Sequence, residues 1–248
     1  MKRYAFALAA MAAGLIFFVS KAPAQPGKPL SAVLEAKQQA VLSAEVTAKV
    51  EHIVKELGQK FSKGDLLIAL DEGSYRPSVS KNQAAASAAN KNFEVTQKLY
   101  EGKSASPLDL ENARKDVGMA SANVALSQKE LAGCRIYAPF SGRVKKVYVR
   151  EYELVDKGKP LIEVVDDHLL QARILLPSTL FGKVHVGQEV SIEVVETGAT
   201  AAGTITNVGE VLDPASATYE IYADVPNTGD SLRSGMTGRL APPADAAQ

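Results

Sequence analysis

The sequence predicts a mainly β protein carrying a long α-helical hairpin: a β-sandwich split by a coiled-coil insertion, followed by a small antiparallel β-barrel. Three observations carry this prediction. Ala44 to Glu72 repeats at Ala138 to Asp166 with a constant offset of 94 residues and no gap. The stretch between the copies is rich in helix formers and has a seven-residue apolar period. After Asp167, short alternating segments return between turn signals.

The chain opens with Lys2 and Arg3, an uncharged apolar run from Tyr4 to Val19, and the small residues Ala22-Pro23-Ala24. This is the order of an export signal, with cleavage expected after Ala24. The apolar run is short for a bilayer span, which needs about 20 residues. Removing Lys2, Arg3 and Lys21 from 28 basic residues leaves 25 against 28 acidic ones, so no basic field for nucleic acid exists. With 46% hydrophobic and 23% charged residues, the rest is ordinary folded protein. Cys134 is the single cysteine and has no partner for an internal disulfide, so a buried, inert thiol is expected.

Within the repeat, Val50 falls on Val144, Lys63-Gly64 on Lys157-Gly158, and Leu67-Ile68 on Leu161-Ile162. Both copies alternate apolar and polar residues around Gly-bearing turns, as half-buried strands do, and neither has enough apolar surface to stand alone. Gly58, Gly64, Pro139, Gly142, Gly158, Gly187 and Gly235 are the expected turn residues. Ala48 stands opposite Gly142 and Tyr152 opposite Gly58, so the two copies need not turn identically.

Between the copies, Gly73 to Tyr100 and Leu108 to Leu131 read as two antiparallel helices. Ser106-Pro107 supplies an N-cap and a proline at the first helical position. Leu110, Ala113, Val117, Ala120, Val124, Ser127 and Leu131 form the seam of the return helix, and Val79, Ala86, Phe93 and Tyr100 recur every seven on the outgoing one. Val95 lies off that seam and is expected to face outward. An Asp at position 106 is expected to cap as well as Ser106 does.

These residues resemble the HlyD-like membrane-fusion or periplasmic adaptor proteins. The resemblance rests on Gly58-Gln59-Lys60-Phe61-Ser62-Lys63-Gly64-Asp65-Leu66-Leu67, on Ile136-Tyr137-Ala138-Pro139-Phe140-Ser141-Gly142-Arg143-Val144, and on Val186-Gly187-Gln188-Glu189-Val190. Asp213-Pro214, Thr218, Asn227, Leu232 and Gly235-Met236 complete it. It implies a signal peptide (1–24), an N-terminal segment (25–40), a lipoyl-like half-motif (41–72), an α-helical hairpin (73–131) and a second lipoyl-like half-motif (132–167). A β-barrel (168–240) and a flexible tail (241–248) follow. The family's membrane-proximal domain is expected to be missing or vestigial.

The resemblance also implies a role: a periplasmic subunit of a tripartite efflux or secretion system, self-associated into a hexameric ring. Its partners would be an inner-membrane transporter, of the resistance-nodulation-division (RND) class rather than ATP-driven, and a TolC-type outer-membrane duct. At the hairpin tip, Leu99 and Ser106 match the family's docking pattern, whereas Val95 replaces its arginine.

Two other readings compete with this one. A biotinyl or lipoyl carrier needs a modifiable Lys on a tight turn between the half-motifs, where this chain places its helices. A periplasmic metal chaperone needs clustered soft ligands, but His52, His168, His185, Met119 and Met236 are scattered. Glu151, Glu153, Asp166 and Asp167 read as solvated turn charges, and no nucleophile elbow or phosphate loop is present. No catalytic, cofactor-binding or metal-ligating residue is expected.

Overall fold

A computed structural model describes residues 30–240; the expected signal peptide and tail lie outside the described residues. In chain order the elements are β1 (Leu30–Ala36), β2 (Gln39–Ser43), β3 (Ala48–Ile53), β4 (Lys60–Phe61), β5 (Leu66–Leu70), α1 (Tyr75–Glu101) and α2 (Pro107–Ala132). Then come β6 (Arg135–Tyr137), β7 (Gly142–Val147), β8 (Leu154–Val155), β9 (Pro160–Val165), β10 (Leu169–Pro177), β11 (Glu189–Val194), β12 (Thr200–Val208), β13 (Thr218–Pro226) and β14 (Thr237–Leu240).

The repeat becomes a sandwich of two four-stranded sheets, β2-β9-β7-β4 and β6-β5-β3-β8. Shifting the first order by 94 residues gives the second, so the sandwich has an approximate two-fold axis. The structural repeat starts a few residues earlier than the sequence one, at β2 and β6, and each sheet takes two strands from each half, which is why neither half can fold without the other. The turns obey the same symmetry: Gly58 N donates to Val144 O at 2.9 Å, and Tyr152 N donates to Val50 O at 2.8 Å. Gly64 N to Ala138 O (2.9 Å) matches Gly158 N to Ala44 O (2.8 Å). Val50, Leu67, Ile68, Val144, Leu161 and Ile162 share one buried core.

At Tyr152 the two copies turn alike despite the difference in residue. The Tyr152 φ of 67° repeats the left-handed conformation of Gly58 at 79°, although a bulky side chain disfavours it. The tight hydrogen bond to Val50 holds it there. Gly142 and Ala48 do differ: a Cβ on Gly142 would lie 2.0 Å from the Val165 carbonyl oxygen, whereas the second sheet accommodates Ala48 as a buried residue.

The barrel is closed in the order β1-β10-β13-β12-β11-β14. Its first strand is a correction, because Leu30–Ala36 falls in the segment expected to be N-terminal flank. Leu30, Ala32 and Leu34 point inward and are buried, a period-two pattern too short to stand out in sequence. β1 pairs with β10 on one side and β14 on the other, so the chain returns to the sandwich only at β2. Gly187 and Gly235 turn the barrel loops with positive φ, and Pro139 is exposed between β6 and β7.

Candidate functional site

Two features of this architecture can work on something outside the chain: the helices inserted between the half-motifs, and the junction between sandwich and barrel.

The insertion leaves β5 at Leu70 and rejoins at β6. α1 and α2 have 27 and 26 residues, so each is a rod of about 40 Å at ~1.5 Å per residue. They lie against one another, with Asn82 Nδ2 donating to the Asn123 carbonyl at 3.3 Å. On α2 the covered residues include Leu110, Ala113, Val117, Ala120, Val124, Ser127 and Leu131. From Val79 onward the covered residues of α1 are Val79, Asn82, Ala86, Ala89, Phe93 and Thr96, alternating steps of three and four. Reading only every seventh residue missed Asn82, Ala89 and Thr96, because two are polar and one is small. Tyr100 is 40% exposed, so the seam ends before it.

The base of the insertion is tied down by charge. Glu72 receives Arg76 Nε at 2.5 Å and Arg135 Nε at 2.7 Å, and these guanidinium contacts hold its carboxyl below the ordinary range. Tyr75 Oη donates to the Thr47 carbonyl at 2.8 Å. Cys134 is fully buried beside them, and burial, then the nearby acidic groups, pushes its thiol up to about 11. That suits an inert thiol.

At the far end, the chain turns through Gly102 to Ser106, with Lys103 in a left-handed conformation at φ 60°. Val95 is 55% exposed, Leu99 47% and Leu108 68%, so the tip presents an apolar surface. Ser106 is committed to its own helix. Its Oγ accepts from Asp109 N at 3.1 Å and donates to Asp109 Oδ2 at 2.7 Å, while Ser106 N donates to the same carboxylate at 2.9 Å. This reciprocal capping box lowers the Asp109 carboxyl below its usual range, through the Ser106 hydroxyl first. It also overturns the expectation that Asp would replace Ser106 neutrally, because two carboxylates would then face one another.

The junction holds a different set of groups. Asp167, expected as a solvated turn charge, is buried and accepts from Arg143 Nε at 2.5 Å. The same guanidinium donates through Nη2 to Asp230 Oδ2 at 2.5 Å and through Nη1 to the Gly58 carbonyl at 3.2 Å. Asn227 Nδ2 donates to the Asp167 carbonyl at 2.7 Å. Among the described residues, only Asp166, Asp167 and His168 bring three metal-ligating atoms together, within 4.8 Å. There His168 N and Nδ1 lie 2.9 and 3.0 Å from Asp166 Oδ1, which a local turn explains. His52 is exposed on β3, and Met236 packs partly buried against the barrel core.

No protein-family model matches the chain. Among solved structures it superposes on a MacA–MexA chimera carrying the Pseudomonas aeruginosa MexA α-hairpin domain, with a TM-score of 0.75 at 22% identity. That match covers 86% of this chain and 80% of the other. The membrane fusion protein Spr0693 of Streptococcus pneumoniae gives 0.70 at 18%, covering 86% and 97%. The chain has the membrane-fusion and periplasmic adaptor fold. Curated relatives of this adaptor-fold chain include an uncharacterized protein of Haemophilus influenzae, 25% identical over 205 residues. Another is the cobalt-zinc-cadmium resistance protein CzcB of Cupriavidus metallidurans, 21% identical over 202. These alignments cover 82% and 75% of the chain, but the chain spans only 54% and 39% of those relatives' lengths. Among the described residues, no helix is long and apolar enough to cross a membrane.

Proposed function

We propose that this chain is a periplasmic adaptor subunit of a tripartite efflux system, bridging an inner-membrane pump and an outer-membrane exit duct without enzymatic chemistry of its own. The observation that carries the reading is where the helical pair sits. It occupies the point between the sandwich halves at which a carrier would present its modifiable lysine, and it ends in exposed apolar side chains rather than a reactive group.

On this reading the protein is exported, cleaved after Ala24 and assembled into a ring, six subunits by family resemblance. The helices act as a docking hairpin whose Leu99 and Val95 meet the helical ends of the duct, with Ser106 holding the turn in shape. The pump is of the RND class, a preference supported by the likeness of the barrel motifs to those adaptors.

Replacing Gly73 to Leu131 with a short Gly/Ser linker should leave β-structure in circular dichroism and abolish export. The resistance named for one relative makes tolerance to cobalt, zinc and cadmium the first readout to try. At the tip, Leu99→Glu should reduce crosslinking to the duct, and Val95→Arg should increase it. Export that survives loss of the helices would overturn the adaptor reading.

A further inference from the structure

The sandwich and barrel are joined by two neighbouring strands of chain, Lys37–Gln38 and Asp166–His168, and Asp166 N donates to Gln38 O at 2.8 Å. Two crossings side by side make a hinge, which leaves rotation about their line free unless something off the line opposes it. Among the described residues, the ion pairs and hydrogen bonds made directly between a sandwich residue and a barrel residue all end on one carboxylate. Asp230, in the loop between β13 and β14, takes Arg143 Nη2 at 2.5 Å and Lys60 Nζ at 2.8 Å on the same oxygen, Oδ2. Its other oxygen takes Arg233 of its own loop at 3.0 Å.

We infer that Asp230 is the releasable jaw of an ionic latch that fixes the barrel's angle to the sandwich, and that Arg143 has a second seat waiting when the latch opens. The two ends of the Arg143 bridge differ. The Asp167 side chain is 7% exposed and that of Asp230 is 39% exposed, so water and salt reach the second contact and hardly reach the first. Asp167 Oδ1, in turn, is buried without a hydrogen-bond partner. An arginine fork binds a carboxylate best through two parallel bonds. With Asp230 gone, Arg143 can take both oxygens of Asp167, satisfying the orphan atom and offsetting what is lost. Each state therefore has contacts that the other lacks, as a two-position element requires.

The closing test measures the angle and does not depend on the adaptor reading. Spin labels at Glu51→Cys on β3 and Ser191→Cys on β11, in a Cys134→Ala background, report the sandwich–barrel distance by pulsed electron resonance. Asp230→Asn removes the charge yet keeps a residue that tolerates the φ of 52° found there. It should broaden the distance distribution roughly twofold, as release of a domain hinge does, while leaving the circular dichroism spectrum unchanged. Removing both cations, as Lys60→Met with Arg143→Met, should match it. Raising salt from about 0.05 M to about 1 M should broaden the unsubstituted pair in the same direction. An unchanged width in Asp230→Asn, or in rising salt should that variant fail to fold, overturns the latch.

Discussion

Gly142 and Tyr152 show how a duplicated motif diverges one residue at a time. A side chain at Gly142 has nowhere to go, since the obstacle at 2.0 Å is the backbone of Val165. Gly142→Ala should therefore lower stability by about 2 kcal/mol, as overpacking does, while Ala48→Gly at the symmetry-related position should cost only about 1 kcal/mol. Thermal melts of the two variants test the asymmetry, and equal losses would contradict it. Tyr152 is the reverse case, a left-handed residue that its counterpart fills with glycine. Tyr152→Gly should raise stability by roughly 1 kcal/mol, the cost of a non-glycine residue in that region. The gain is reduced by loss of the contact that Lys49 Nζ makes 5.2 Å above the ring. Both mismatches are legible in the sequence, whereas the strain at Tyr152 belongs to the hydrogen bond that closes its turn.

At the scale of the element, the helical pair was legible because a seam writes itself into sequence every three and four residues. What escaped was the polar member. Asn82 faces the seam and donates across it to Asn123, a contact between complementary polar groups that no apolar count detects. Asn82→Leu should stabilise the pair in thermal melts and loosen its register, visible as crosslinks between cysteines that the parent keeps apart. A stabilised pair with one register would show that Asn82 does not fix alignment. The candidate tip site was legible only in part. Val95 and Leu99 lie one turn apart on α1 and Ser106 caps α2 beyond the connecting turn, but the capping partner Asp109 emerged from geometry. Acid should act there. The lowered carboxyl of Asp109 stabilises the cap above the ordinary carboxylate range, and that contribution disappears as pH falls through its folded value.

For the whole molecule, the repeat dictated the sandwich and the turn signals dictated most of the barrel, yet the barrel's closing strand came from the other end of the chain. Closure is a property of the ring of strands, and β1 reads as a flank until its partners β10 and β14 are in place. Leu34→Asp should therefore unfold the barrel while the sandwich survives, because Leu34 is fully buried among barrel residues alone. Limited proteolysis should cut within 169–240 and spare 39–165. Simultaneous loss of both would mean that the two modules fold as one.

The approximate two-fold axis of the sandwich has a mechanical consequence. The helices leave at the end of β5 and the barrel at the end of β9, positions that the repeat makes equivalent. Each of those strands is interior to its sheet: β5 is bonded to β3 and β6, and β9 to β2 and β7. A pull on the helices thus enters one sheet and a pull on the barrel enters the other. The second attachment of each module is an edge strand, β6 for the helices and β2 for the barrel, and each of these is bonded to that same interior strand. A load on either module is therefore gathered into β5 or β9 and passed to its inner neighbour before it crosses the apolar layer between the sheets.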